Sequence, residues 1–429
     1  MLVDALRPPA GTALDSAVGT TFTLDLDALL LATLSFAVAD RLDTEDGRPD
    51  PIALLESVRR HADHITVFAQ TGVLSGPRNH PPILSYLEDA VIPVRPAVPG
   101  HLFHPKVWAL KFVDEEGEPS YRLLVLSRNL TFDSSWDTIV RLDGKPANNT
   151  RKHDGLVADF LETLPKRAVV PLADDRTKQV FGLAQELRSV AWEKPEGVQS
   201  MWFWPMGPEF KKPEIAGDRV LTISPFLSES SVRQFGTGPG EVVLISRPPA
   251  IDGAGASALA GYADTFVVDT ADELPPSGPL DDAPASDSEG LEDEIVDATG
   301  DIDIEPPRPG TDLSGLHAKV WVTENEDSNR LWIGSANATG PAFNGNVEFM
   351  VEFCFDHANL SIDSVLDNGE PNLRSMLKPY RPETDEPSEP TELEKATRKL
   401  DTLVRDLATG SFAVAVSYTH LTLPTKRIG

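Results

Sequence analysis

The sequence predicts an α/β protein made of two repeats, each a mixed β-sheet flanked by helices, packed into one body. The first observation is a motif that occurs twice, as His104-Pro105-Lys106-Val107-Trp108 and as His317-Ala318-Lys319-Val320-Trp321. The second is that strand-like and helix-like stretches alternate before each copy, and a further strand-like run follows each copy. With 9 His in 429 residues, a lone His-x-Lys is a weak signal. Two copies that both run on into Val-Trp indicate an internal duplication.

Taken in order, "DPIALLESVRRHA" (50–62) has helical apolar spacing, "HITVFAQTG" (64–72) reads as a buried strand and "ILSYLEDAV" (83–91) as a helix. The His-Pro-Lys strand, a turn and the strand "YRLLVL" (121–126) follow. The second half opens with a strand in "RVLTISP" (219–225), a helix in "SESSVRQF" (228–235) and a strand in "EVVLISRP" (241–248). A short Ala/Gly-rich helix precedes the His-Ala-Lys strand. These elements set a first half at 20–180 and a second at 181–380. A Pro/acid linker and an amphipathic helix (391–409) fill 381–415. Residues 416–429 continue no pattern; they resemble translated adapter sequence and are set aside.

The bulk numbers narrow the class. Forty per cent apolar residues over this length allow two or three ordinary domains. The single cysteine, Cys354, excludes an intramolecular disulfide and a cysteine-only metal site, and fits a reducing cytoplasm. The apolar stretch 28–39 is too short to span a bilayer and lacks a basic region before it, so no membrane span or signal peptide is expected. A net charge of −29 argues against generic binding of nucleic acid. The acid is unevenly placed, however. Residues 269–305 carry no Lys or Arg, so 269–310 reads as a disordered, solvated insertion, with an acidic mask competing for the site as the second reading.

Each His-x-Lys is followed by Ser-x-Asn: Ser127-Arg128-Asn129 and Ser335-Ala336-Asn337. Residues two apart on a strand share a face, so His104 points with Lys106 and His317 with Lys319. In an antiparallel hairpin His104 opposes Ser127 about a turn at 114–117, and His317 opposes Ser335 about a turn at 324–329. Each Ser-x-Asn is thereby folded back beside its histidine. Such a set suits attack on a phosphodiester, which builds negative charge. Lys106 and Lys319 supply fixed cations, while Ser127, Asn129, Ser335 and Asn337 offer hydrogen bonds to the non-bridging oxygens. One histidine attacks phosphorus; the other protonates the leaving oxygen and then activates water. Asp137 and Glu348 orient the imidazoles. No metal or other cofactor is required. Trp108 and Trp321 read as core, and His61, His64 and His101 show no metal-ligand spacing. The runs Arg151-Lys152-His153 and Lys211-Lys212 read as solvated faces, with phosphate contacts as the alternative.

The pattern resembles the phospholipase D (HKD) superfamily, whose repeated motif is H-x-K, a strand, G/S-S-x-N and a downstream carboxylate. Gly334-Ser335-Ala336-Asn337 with Glu348 matches it well; Ser127-Arg128-Asn129 with Asp137 is looser. The likeness extends over residues 20–380. It implies two phospholipase-D-like repeats with one active site at their interface, and His104 as nucleophile with His317 as general acid. The family's aspartate, five residues after each lysine, is replaced by Lys111 and Glu324, away from the phospholipases proper. What the resemblance then implies is a cytoplasmic, metal-independent nuclease on DNA or RNA, in restriction or phage defence, with a helicase or other defence protein as partner. The alternatives are a soluble phospholipase or phosphatidyltransferase, and an inactive nucleic-acid-binding module.

Overall fold

A computed structural model describes residues 2–39, 51–76, 81–132, 134–148, 155–268, 314–369, 372–382, 384–385 and 391–410. The expected insertion at 269–310, the basic run 151–153 and the tail 416–429 lie outside the described residues. In chain order the first elements are α1 (Leu2–Leu6), β1 (Thr12–Thr21), β2 (Leu24–Asp25), α2 (Leu26–Ala39), α3 (Pro51–Ala62), β3 (Ile65–Gln70) and β4 (Leu74–Ser75). Next come β5 (Val91–Val94), β6 (Val107–Asp114), β7 (Pro119–Leu126), β8 (Ser134–Trp136), β9 (Ile139–Pro146), α4 (Leu156–Thr163), α5 (Asp174–Leu187) and β10 (Val190–Trp192). The chain continues with β11 (Val198–Met206), β12 (Arg219–Ile223), α6 (Glu229–Phe235), β13 (Val242–Ser246), α7 (Pro248–Ala254) and β14 (Asp264–Val268). The last are β15 (Ser314–Leu316), β16 (Val320–Glu324), β17 (Asn329–Gly334), α8 (Gly340–Asn344), β18 (Glu348–Phe355), α9 (Ile362–Asp367), β19 (Leu377–Pro379) and α10 (Glu392–Ala408). The helix expected at 83–91 forms as a 3-10 helix, Pro82–Ala90, opened by a proline pair.

Two large mixed sheets result, with orders β10-β9-β7-β6-β1-β3-β5 and β11-β18-β17-β16-β12-β13-β14-β19. Six consecutive strands of each correspond one for one. β1, β3 and β5 run parallel, as do β12, β13 and β14. β6, β7 and β9 then follow antiparallel on the side of β1, as β16, β17 and β18 do on the side of β12. The first sheet also takes in β10, beyond the boundary expected at 180.

The unbroken apolar runs of β6 and β7 follow from burial on both faces. Val107, Ala109, Leu123 and Val125 belong to one core, and Trp108, Leu110, Leu124 and Leu126 to another on the opposite face. The first of these cores also holds Phe349, Val351 and Phe353 of β18 together with Phe160 and Leu161 of α4, so it is shared by the two sheets. Trp321 is buried in a third core, where its ring packs on Phe235 and Phe343. Trp108 and Trp321 are therefore core residues, at 3% and 0% exposure.

Candidate active site

The two motifs do not lie within strands. His104 and Lys106 sit in extended chain just before β6, and His317 and Lys319 just before β16. The reason is where their amides bond. His104 N donates to Val347 O at 2.8 Å, and His317 N donates to Trp136 O at 2.7 Å. Each acceptor belongs to the residue immediately before the downstream carboxylate of the other half. Phe103 makes a parallel bridge to Val347, and β15 pairs in parallel with β8 just before His317. The hairpin register is also one residue off the expectation: Val107 faces Val125 and Val320 faces Ile333, which puts Arg128 and Ala336 in line with the histidines.

This crossing brings Glu348 of the second half to the imidazole of His104. Both oxygens of Glu348 lie 2.9 Å from His104 Nδ1, and both side chains are fully buried. Ser335 Oγ donates to Glu348 Oε2 and accepts from Phe349 N at 3.0 Å. Asn346 Nδ2 donates to Glu348 Oε1 at 3.4 Å. The first half repeats the backbone part of this arrangement: Ser127 Oγ accepts from Thr138 N at 2.8 Å, and Ser127 N donates to Thr138 O at 3.0 Å. Asp137, at the position matching Glu348, forms an ion pair with Arg128 at 3.1 Å. Gly334 is required here, since a Cβ would stand 2.2 Å from Phe349 O.

Both lysines are buried and turn back on their own motif. Lys106 Nζ donates to His104 O at 3.1 Å, and Lys319 Nζ to His317 O at 3.0 Å. Lys319 Nζ also stands 3.3 Å from His317 Nε2. Asn129 and Asn337, each two residues after its serine, are buried. The amide following each is held alike, Leu130 N by Thr21 Oγ1 at 3.0 Å and Ala338 N by Ser224 Oγ at 2.9 Å.

Thr21, Ser224, Gln70, Asn346 and Arg128 were not found by sequence reasoning. Gln70 Oε1 accepts from Phe103 N at 2.8 Å and Asn346 Oδ1 from Leu102 N at 2.9 Å, so three successive amides lead His104 into place. Nothing in the spacing signals the first four, because their partners are distant in sequence. Arg128 was within reach, as the residue between Ser127 and Asn129.

Lys111 and Glu324, five residues after the two lysines, are both held in ion pairs. Lys111 pairs with Glu186 at 2.9 Å and Asp15 at 3.3 Å. Burial works against its charge, but these carboxylates raise its pKa overall. Glu324 pairs with Arg219 at 3.0 Å and accepts from Ile362 N at 2.6 Å. Among the described residues, no group of three or more His, Cys, Asp or Glu is placed to hold a metal, and no helix is long and apolar enough to cross a membrane.

No protein family and no curated protein matches the chain by sequence. Among solved structures, a yeast tyrosyl-DNA phosphodiesterase is similar, with 12% identity, TM-score 0.45, and coverage of 84% of this chain and 86% of that one. A polyphosphate kinase from Porphyromonas gingivalis is similar with 11% identity and TM-score 0.40, over 95% of this chain. The chain spans about half of the kinase, 51% of its length. Neither score reaches 0.5, so the chemistry rests on the side chains themselves.

Proposed function

We propose that the chain is a phosphodiesterase of the phospholipase D type, built from two repeats around one site, that cleaves nucleic acid through a phosphohistidine intermediate. The observation that carries this reading is the bidentate approach of Glu348 to His104 Nδ1. A carboxylate there fixes a proton on Nδ1 and leaves the Nε2 lone pair for attack. Nε2 of His104 bonds to phosphorus as the bond to the leaving oxygen breaks, and His317 gives that oxygen its proton. Neutral His317 then takes a proton from water, whose oxygen attacks phosphorus and breaks the P–N bond. The buried ammonium groups of Lys106 and Lys319, with the amides of Asn129 and Asn337, stabilise the charge that grows on the non-bridging oxygens.

Ser127 and Ser335 support this by bonding the backbone amide next to each carboxylate, Thr138 N and Phe349 N, in addition to their expected role toward phosphate. His104 and His317 enter the site from opposite halves, which suits attack and departure on opposite faces of one phosphorus. The test is hydrolysis of an end-labelled single-stranded oligonucleotide in excess chelator. Cleavage by the wild type is expected, with His104→Ala and His317→Ala each lowering turnover by at least about 10³-fold. Activity lost in chelator and restored by magnesium, or retained by both variants, would contradict the reading.

A further inference from the structure

A groove of about 820 Å³ lies between α4 and the edge strand β11, lined by Trp202, Trp204, Phe210, Lys166 and Lys211. We propose that it is a track for a single-stranded polynucleotide leading to the candidate active site; the inference rests on the nuclease reading and names its substrate form. Its position supports a path to the site. β11 pairs with β18 so that Trp204 faces Met350 and Met206 faces Glu348, roughly 7 Å of strand between them. Beyond β11 the loop keeps to the site's rim. A Cβ on Gly207 would lie 3.7 Å from Val347, whose carbonyl holds His104, and Lys212 Nζ donates to Asn344 Oδ1 at 2.9 Å. Asn344 adjoins Gly345, where a Cβ would fall 2.1 Å from the His101 ring.

The chemistry of the groove fits exposed bases and phosphates. Trp202, Trp204 and Phe210 are only half-buried, so ring surface is left for stacking. The Trp204 indole is held by its Nε1, which donates to Glu352 at 2.7 Å. The carboxylates of the groove are matched by arginines. Glu352 pairs with Arg330 at 3.2 Å and Glu209 with Arg167 at 2.8 Å. Asp159 and Glu162 both pair with Arg188, at 2.7 and 2.9 Å. Lys166 and Lys211 form no ion pair among the described residues and are exposed, which leaves two cations for an anionic backbone. A duplex hides its base faces in its own stack, whereas a single strand can place them on these rings.

The test uses the full chain on a His104→Ala background, so that substrate is bound and not cleaved, with a fluorescein-labelled oligo-dT read by anisotropy. Trp202→Ala with Trp204→Ala should weaken binding at least about tenfold, and the Phe replacements, which keep a ring, should restore most of it. Lys166→Ala with Lys211→Ala should flatten the dependence of log affinity on log salt by about 1.4. With His104 intact, the same variants should hydrolyse bis(p-nitrophenyl) phosphate as the wild type does, because that substrate fits the site without the groove. Unchanged oligonucleotide affinity in both double variants would overturn the track while leaving the phosphodiesterase reading standing. An extended peptide pairing with β11 as the true occupant would give that result. Wild type inert toward the small phosphodiester would instead count against the catalytic reading, with the binding arm still deciding the groove.

Discussion

The Glu348 carboxylate is held by a serine hydroxyl, an asparagine amide and an imidazole, with no lysine or arginine among its partners in the described residues. Its charge is therefore available to His104, whereas Asp137 shares its charge with the Arg128 guanidinium. Unequal carboxylates suit unequal roles, a nucleophile on one side and a proton donor on the other. Glu348→Gln removes the charge with little change in shape and should lower turnover by about 10²- to 10⁴-fold in steady-state kinetics, with substrate affinity largely kept. An unchanged rate would mean that Glu348 only fills space. Ser335→Ala leaves Phe349 N without its acceptor and should cost about 1–3 kcal/mol in chemical denaturation. Gly334→Ala should also destabilise, since the added Cβ meets a backbone carbonyl that has no room to move.

Strands and hairpins were legible where periodicity and apolar runs carry the information. β3, β12 and β13 fall within the stretches expected for them and β7 begins two residues before its own, because chains buried on both faces leave continuous apolar runs. Two things were not legible. Whether His104 lies in β6 or just before it depends on Val347, more than two hundred residues away, and no local pattern reports such a bond. The register differs by one residue for a related reason: opposing His104 to Ser127 and His317 to Ser335 takes the histidines as ladder residues, and the ladders begin only at Val107 and Val320. The approach of Glu348 to His104 follows from the same interlocking. At this scale Trp321→Ala should cost about 3–5 kcal/mol, because its ring is enclosed by Phe235 and Phe343. Thermal or denaturant unfolding checks it, and a loss below about 1 kcal/mol would contradict the packing described.

The two sheets share one core and exchange backbone bonds at both histidines, so the halves are not independent modules. Separated at Glu196, between β10 and β11, each half would expose the seam formed by Val107, Val125, Phe349 and Val351, and the first half would lose the Glu348 carboxylate that bonds His104. Neither half alone should turn over a phosphodiester, and size-exclusion chromatography should find each aggregated or bound to the other. A half that is monomeric and active by itself would contradict this architecture. The doubled motif, with its two histidines, two lysines and two asparagines, stands in the sequence itself. The interdependence of the halves does not, because it resides in contacts between residues that no motif joins.

The most direct measurement of the central claim is a rapid acid-free quench of the protein with a ³²P-labelled oligonucleotide, followed by digestion and mass spectrometry of the labelled peptide. The expected result is an alkali-stable, acid-labile phosphoryl adduct on the peptide containing His104, longer-lived in His317→Ala and absent from His104→Ala. Label on the His317 peptide with none on His104, or turnover with no adduct at any time point, would contradict it.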